Sequence, residues 1–226
     1  MKARNSMKKG VIFDLDGTLL DTLESIAKSG NEMLKSFGLA PAPVSQYGVF
    51  AGDGADVLVE RALRYRGENA LSHLEEAKVR YRAFFREFCA YKVQPYEGIL
   101  ELLSQLKKQN ILLAVYTNKP HENAARLVQE YFGKNLFTHV IGQDSSRPRK
   151  PHPAGIFEIT KDWGVLCEDC VYLGDSDVDM QTGKGANCLT VGALWGFRGK
   201  EELLLNGADF VVEHPLELLQ LMDIKE

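Results

Sequence analysis

The sequence predicts an α/β fold in which a parallel sheet core is interrupted, directly after its first strand, by an all-helical insertion. Three observations predict it. An apolar run, Val11-Ile12-Phe13, ends abruptly in acid and glycine at Asp14-Leu15-Asp16-Gly17, the pattern of a buried parallel strand delivering carboxylates to its C-terminal tip. Between Thr22 and Tyr91 nothing reads as a strand. After a linker at Val93–Gly98 helical and strand patterns alternate, the rhythm of right-handed βαβ units. The expected division is a core of residues 7–20 and 95–226 and a helical domain of residues 21–94.

Taken in order, the pattern Leu23, Ile26, Ala27, Met33, Leu34 and Phe37 fits an amphipathic helix, with Asp21 or Thr22 as N-cap and Gly38 as stop. Pro41 and Pro43 break the chain, and the flexible turn Gly52-Asp53-Gly54 leads into a helix through Val57, Leu58, Ala62 and Leu63. A long helical stretch runs from about Ala70 to Tyr91. Beyond the linker a helix through Leu102 and Leu106 precedes a strand at Ile111–Tyr116, and a helix from Pro120 to Phe132 precedes a short strand near His139–Ile141. A helix from Pro153, strand Val171–Leu173, a helix to Ala186, strand Leu189–Val191, a helix near Lys200–Leu205, strand Phe210–Val212 and a helix from Pro215 complete the chain.

With 226 residues the chain can hold one sizeable core, or one core plus a smaller insert. A net charge of −4 gives no reason to expect nucleic acid or an anionic membrane as partner. No apolar run of some 18 or more residues predicts a membrane span. The polar start Met1–Lys9 is unlike a secretory signal, residues before Met7 read as a tail, and Cys89, Cys167, Cys170 and Cys188 read as free thiols. A cytoplasmic location is therefore expected. Cys167 and Cys170 have C-x-x-C spacing but lack a second pair for zinc and precede a strand rather than opening a helix. His73, His121, His139 and His214 show no ligand spacing and read as structural or solvated.

The chemistry lies at four strand ends, where ligands of open α/β sheets bind. At the first, Asp14 and Asp16 stand two apart and so point the same way, with Gly17 for the turn and the Thr18 hydroxyl beside them. Crowded carboxylates call for a cation or a shared proton, so this end reads as a hard-metal site with one nucleophilic carboxylate and one acid/base. The second end offers Thr117 and Asn118 before a helix, a seat for phosphate. The third is a loop in which Lys150 stands beside Pro151, a stiffened ammonium able to neutralise a phosphoryl group or a crowd of acids. The fourth carries Asp175, Asp177 and Asp179; Mg²⁺ keeps several waters, so two or three such carboxylates suffice to hold it.

These motifs resemble those of the haloacid dehalogenase-like hydrolase superfamily, specifically its phosphoglycolate phosphatase group, over nearly the whole chain. Asp14-Leu15-Asp16-Gly17-Thr18 is similar to the first motif, Thr117-Asn118 to the second, Lys150-Pro151 to the third, and Gly174-Asp175-Ser176 with Asp179 to the fourth. The resemblance implies a Rossmann-like core with an inserted helical cap, and a Mg²⁺-dependent phosphomonoester hydrolase working through an aspartyl-phosphate. It implies Asp14 as nucleophile and Asp16 as acid/base. Mg²⁺ would be held by Asp14, the Asp16 main-chain carbonyl and Asp175. Thr117, Asn118 and Lys150 would bind the phosphoryl group, and Asp179, Thr18 and Ser176 would support metal and lysine. In the cap, Gly52, Asp53 and Gly54 are candidates to read the substrate, although Asn commonly stands where this chain has Asp53. The partner is a small phosphorylated metabolite, 2-phosphoglycolate first, with pyrophosphate, a nucleoside monophosphate or a sugar phosphate as alternatives; the chain is expected to be a monomer or homodimer.

Three rivals weigh less. A dehalogenase needs no acid/base at Asp16. A phosphosugar mutase shares the motifs, but Ile26 stands where hexose phosphate mutases carry a cap histidine. A phospho-accepting signalling module is shorter and lacks both the cap and the second carboxylate. Trp195, Phe197 and Arg198, in a glycine-rich loop after a strand, either line the crevice between cap and core or simply pack.

Overall fold

The first strand, β1 (Gly10–Phe13), becomes the middle of the sheet because every one of its residues is apolar or glycine and all four are buried. The computed structural model describes residues 8–222; the expected tail before Met7 lies outside them. A two-residue strand β2 (Leu20–Asp21) follows, then four helices, α1 (Leu23–Ser36), α2 (Val44–Phe50), α3 (Ala55–Arg66) and α4 (Leu74–Phe88), and a second two-residue strand β3 (Gln94–Pro95). Alternation begins with α5 (Ile99–Lys108), β4 (Leu112–Pro120), α6 (His121–Phe132), β5 (His139–Gln143), α7 (Ala154–Trp163) and β6 (Cys170–Gly174). It ends with α8 (Asp177–Gly185), β7 (Leu189–Ala193), α9 (Lys200–Leu205), β8 (Phe210–Val212) and α10 (Glu217–Leu221).

Six strands form one parallel sheet in the order β5-β4-β1-β6-β7-β8. Successive side chains of a strand face opposite ways, and the core follows that alternation. Val11, Phe13, Val171 and Leu173 pack with α5 and α6, whereas Ile12 and Tyr172 pack with Ile156 and Ile159 of α7 on the other face. Helices on both faces explain why these strands are continuously apolar. The helical insertion has its own apolar centre, built from Ile26, Met33 and Leu34 of α1, Tyr47 of α2, Leu63 of α3, and Tyr81 and Phe85 of α4.

Several elements differ from expectation. The segment 68–91 is a 3-10 turn at Glu68–His73 followed by α4, not one long helix. The helix α2 was not expected after Pro41 and Pro43; its Val, Ser, Tyr and Gly48 are weak helix formers, and burial of Tyr47 and Phe50 supplies what propensity does not. The pairing of Leu20 with Pro95 and Asp21 with Gln94 ties the two chain crossings into an antiparallel ribbon too short to show periodicity. The strand β4 runs on to Pro120, with a register shift after Tyr116, so its tip carries Thr117, Asn118 and Lys119. All four cysteines are free. Among the described residues no helix is long and apolar enough to cross a membrane.

Candidate active site

The tips of β1, β4 and β6 and the loop before α7 converge on one cleft roofed by the helical insertion. Asp14 follows β1 directly and is anchored by its N–H donating to the Leu173 carbonyl at 2.9 Å. Gly17 turns the chain at φ +85°, where a Cβ would both strain the backbone and run into the Asp175 carboxylate. Gly196 presses on Asp175 from the other side with equally little room. Asp175 is thus clamped: Thr18 Oγ1 donates to Oδ1 at 2.9 Å and the Phe197 N–H to Oδ2 at 2.8 Å.

Lys150 is 2 % exposed and donates to Asp14 Oδ1 at 2.8 Å and Asp179 Oδ1 at 2.6 Å, with the Tyr172 hydroxyl 3.2 Å away. Burial opposes its charge, but the two carboxylates outweigh burial and raise its pKa well above the lysine range. Asp179 closes a capping box with Ser176 at the start of α8. Its Oδ2 accepts from the N–H groups of Asp175 at 3.2 Å and Ser176 at 3.0 Å and from Ser176 Oγ at 2.6 Å. Both its oxygens are therefore occupied. Asp179 holds the lysine and the turn that presents Asp175.

A metal fits this cluster by its charge. Oxygen atoms of Asp14, Asp175 and Asp179 lie within 4.8 Å of one another, and among the described residues Lys150 is the one cation that touches them. Burial, then the Asp179 carboxylate, pushes the Asp14 carboxyl up to about 6 despite the pull of Lys150. Burial, then Asp179 and Asp14, raises Asp175 well above the carboxylate range. Buried all-oxygen donors carrying more negative charge than one lysine can neutralise suit a hard divalent cation such as Mg²⁺.

The pH dependence follows from the same shifts. A carboxyl whose native pKa exceeds its unfolded value of about 3.9 stabilises the fold fully below that value and loses the contribution as pH rises through its native pKa, about 6 for Asp14. Protons and metal compete for the same oxygens. Mg²⁺ should accordingly raise the melting temperature more at about pH 7.5 than at about pH 5; equal shifts at both would show that the ion displaces no proton from Asp14 or Asp175.

At the tip of β4, Thr117 is buried and faces the cleft. The carboxamide of Asn118, an expected phosphoryl ligand, is committed to backbone. Oδ1 accepts from the Lys150 N–H at 2.9 Å, and Nδ2 lies 3.1 Å from the Lys150 carbonyl and 3.0 Å from that of Gly52. It stitches the lysine loop to the helical insertion. Lys119 carries no motif signal in the sequence, yet its buried ammonium donates to Asp16 Oδ1 at 2.7 Å and lies 4.6 Å from the centre of the Phe85 ring. The only signal was a lysine one place beyond Asn118, which becomes meaningful once β4 is seen to extend that far.

In the insertion, Gly52 and Gly54 line the cleft, but Asp53 turns away to pair with Arg61 at 2.5 Å. Asp53, expected as a candidate to read the substrate, has its carboxylate captured here by Arg61, two turns along α3. Phe197 and Arg198 line the cleft. Arg198 also donates to the carbonyls of Gly48 and, at 2.8 Å, Ala51, and pairs with Glu202 at 3.0 Å. Trp195 instead packs on the sheet core and donates to the Thr18 carbonyl at 2.9 Å.

A parallel sheet whose strand tips gather a buried aspartate, a buried lysine and a metal-ready pair of carboxylates under a helical roof defines the class, an α/β phosphatase. Comparison with known proteins narrows it. A family model described as haloacid dehalogenase-like hydrolase matches residues 11–193, and the chain belongs to that family. It is 31% identical over 215 residues to a phosphoglycolate phosphatase of Pectobacterium atrosepticum, covering 95% of this chain and 92% of that one. It is 30% identical to a phosphoglycolate phosphatase of Mannheimia succiniciproducens, covering 96% of this chain and 100% of that one. A crystal structure described as a predicted phosphoglycolate phosphatase from Haemophilus somnus superposes with a TM-score of 0.88 at 28% identity, covering 96% of this chain and 98% of that one.

Proposed function

We propose that the chain hydrolyses a small phosphomonoester, 2-phosphoglycolate, through an aspartyl-phosphate formed on Asp14. The observation that carries this reading is the convergence of Asp14 with Lys150 at 2.8 Å, beside Asp175 and within a cleft that also holds Asp16. An Asp14 oxygen attacks phosphorus in line with the ester oxygen; the new O–P bond forms as the ester P–O bond breaks, and the Asp16 carboxyl gives its proton to the departing alkoxide. Asp16 then takes a proton from a water that attacks the aspartyl-phosphate at phosphorus. The Asp14–phosphorus bond breaks, releasing inorganic phosphate and restoring both carboxyl groups.

Thr117 and Lys150 bind the equatorial phosphoryl oxygens where charge spreads, and Asn118 acts by fixing the backbone that carries Lys150. The Asp14 and Asp175 carboxylates and the Asp16 main-chain carbonyl would hold Mg²⁺, which would supply the charge neutralisation that lets an anionic nucleophile meet an anionic phosphoryl group. The choice of substrate is supported by the relatives above, which carry that name. The test is phosphate release from a panel of phosphomonoesters, with Mg²⁺ and with chelator. Mg²⁺-dependent release with 2-phosphoglycolate foremost is expected. Preference for pyrophosphate, a nucleoside monophosphate or a sugar phosphate would discard the named substrate, and no release from any ester would discard the hydrolase.

A further inference from the structure

We propose that Lys119 is the residue that selects the substrate, by reading a carboxylate attached directly to the ester carbon. This rests on the hydrolytic reading above, which places the ester oxygen on Asp16.

Three cations line the cleft, Lys119, Lys150 and Arg198. Lys150 lies between two carboxylates, at 2.8 and 2.6 Å. Arg198 is taken up by Glu202 and by backbone carbonyls of the insertion. Lys119 differs from both. Its side chain is 1% exposed, and among the described residues Asp16 Oδ1, at 2.7 Å, is its one hydrogen-bond acceptor. An ammonium has three N–H donors, so two are left over in a nearly dry place, and the neighbouring face of the Phe85 ring attracts the charge without accepting a conventional hydrogen bond. Buried donors without acceptors are costly, and an anion arriving with the substrate removes that cost.

Geometry selects which anion. When the ester oxygen hydrogen-bonds to Asp16, it sits within about 3 Å of a carboxylate that is itself in contact with the ammonium. Two or three bonds beyond the ester oxygen lie both the phosphoryl oxygens, which Thr117 and Lys150 are assigned to hold, and the far end of the leaving group, which is left to Lys119. A carboxylate borne by the ester carbon, with its oxygens three bonds from the ester oxygen, falls there. The insertion offers no charged rival, since Ile26, Leu58, Tyr81 and Phe85 present a predominantly apolar wall whose one hydroxyl, on Tyr81, is neutral, and Asp53 is turned onto Arg61. Specificity is therefore written on the core, at the end of β4, and the insertion contributes exclusion of water and of bulk. The class of substrate is the phosphate ester of a short 2-hydroxy acid.

Because Lys119 also touches Asp16, replacing it is expected to slow every ester, and the informative quantity is a ratio. The kcat/KM for 2-phosphoglycolate is measured against that for its neutral amide, 2-phosphoglycolamide, in the wild type, Lys119→Met and Lys119→Arg, with folding checked by thermal melting. The wild type should favour the carboxylate, and Lys119→Met should shrink that preference by about 10- to 100-fold, the worth of a hydrogen-bonded charge pair, with Lys119→Arg restoring part of it. If both esters decline in parallel in Lys119→Met, Lys119 only positions Asp16 and the inference is overturned. It is equally overturned if the wild type hydrolyses both esters without preference, a result that leaves the phosphatase reading standing. If the wild type releases phosphate from neither, the hydrolytic reading itself fails.

Discussion

Asp14→Asn is expected to lower turnover by about 10⁴-fold or more while the protein stays folded. Asparagine keeps the shape of the side chain but is a poor nucleophile and cannot form the acyl phosphate, so the two-step route is closed rather than slowed. Stability should move the other way. Asp14 is 6% exposed and its carboxyl is pushed up to about 6 by burial and by Asp179, so the carboxylate form strains the metal-free fold near neutral pH. The neutral amide relieves that strain, and the metal-free variant should melt at or above the wild-type temperature at about pH 7.5, with a smaller response to Mg²⁺. Measured turnover within about 100-fold of the wild type would remove Asp14 from the role of nucleophile.

Lys150→Met is expected to damage both stability and activity, for one electrostatic reason. The ammonium neutralises Asp14 and Asp179 at 2.8 and 2.6 Å in a place where its own side chain is 2% exposed. Breaking a buried ion pair by removing one partner costs about 3–5 kcal/mol, because the other charge is left without compensation. In a chain of this size that corresponds to a fall of roughly 6–20 °C in melting temperature. The sign of its pH dependence is fixed: without the lysine the carboxyl groups hold their protons more tightly in the native state than in the unfolded one. The deficit should therefore shrink as pH falls toward 5 and be largest above 7. Activity should be lost as well, since the same ammonium is assigned to the phosphoryl oxygens. A thermal melt of Lys150→Met across that pH range, matching the wild type throughout, would contradict the account of the cluster.

What could be read in the sequence was what is local. Asp14 and Asp16 stand two residues apart on an extended chain, and the placement of Asp175 and Asp179 at the end of a strand and the start of a helix follows from Gly174 at the strand end and the capping Ser176 between the two acids. The order of helices and strands in the core is likewise carried by periodicity within each segment. What could not be read depends on distant partners. Lys119 acquires meaning only through Asp16, 103 positions earlier, and through the extension of β4, which alternating hydrophobicity does not report. Asp53 reads as a cleft residue from its glycine neighbours, but its direction is decided by Arg61. Asn118 looks like a ligand for phosphate, and three backbone partners brought by two other segments turn it into a strut. The β2–β3 ribbon and α2 were hidden because pairing and burial, not propensity, produce them.

The claim on which everything else depends is that phosphorus becomes bonded to Asp14. The most direct measurement is rapid acid quench of the enzyme turning over 2-phosphoglycolate with Mg²⁺, followed by peptide mass spectrometry. The account predicts a phosphoryl increment on the peptide bearing Asp14, appearing before steady-state phosphate release and absent from Asp14→Asn. Steady release of phosphate with the increment on another residue, or undiminished release by Asp14→Asn, would contradict it.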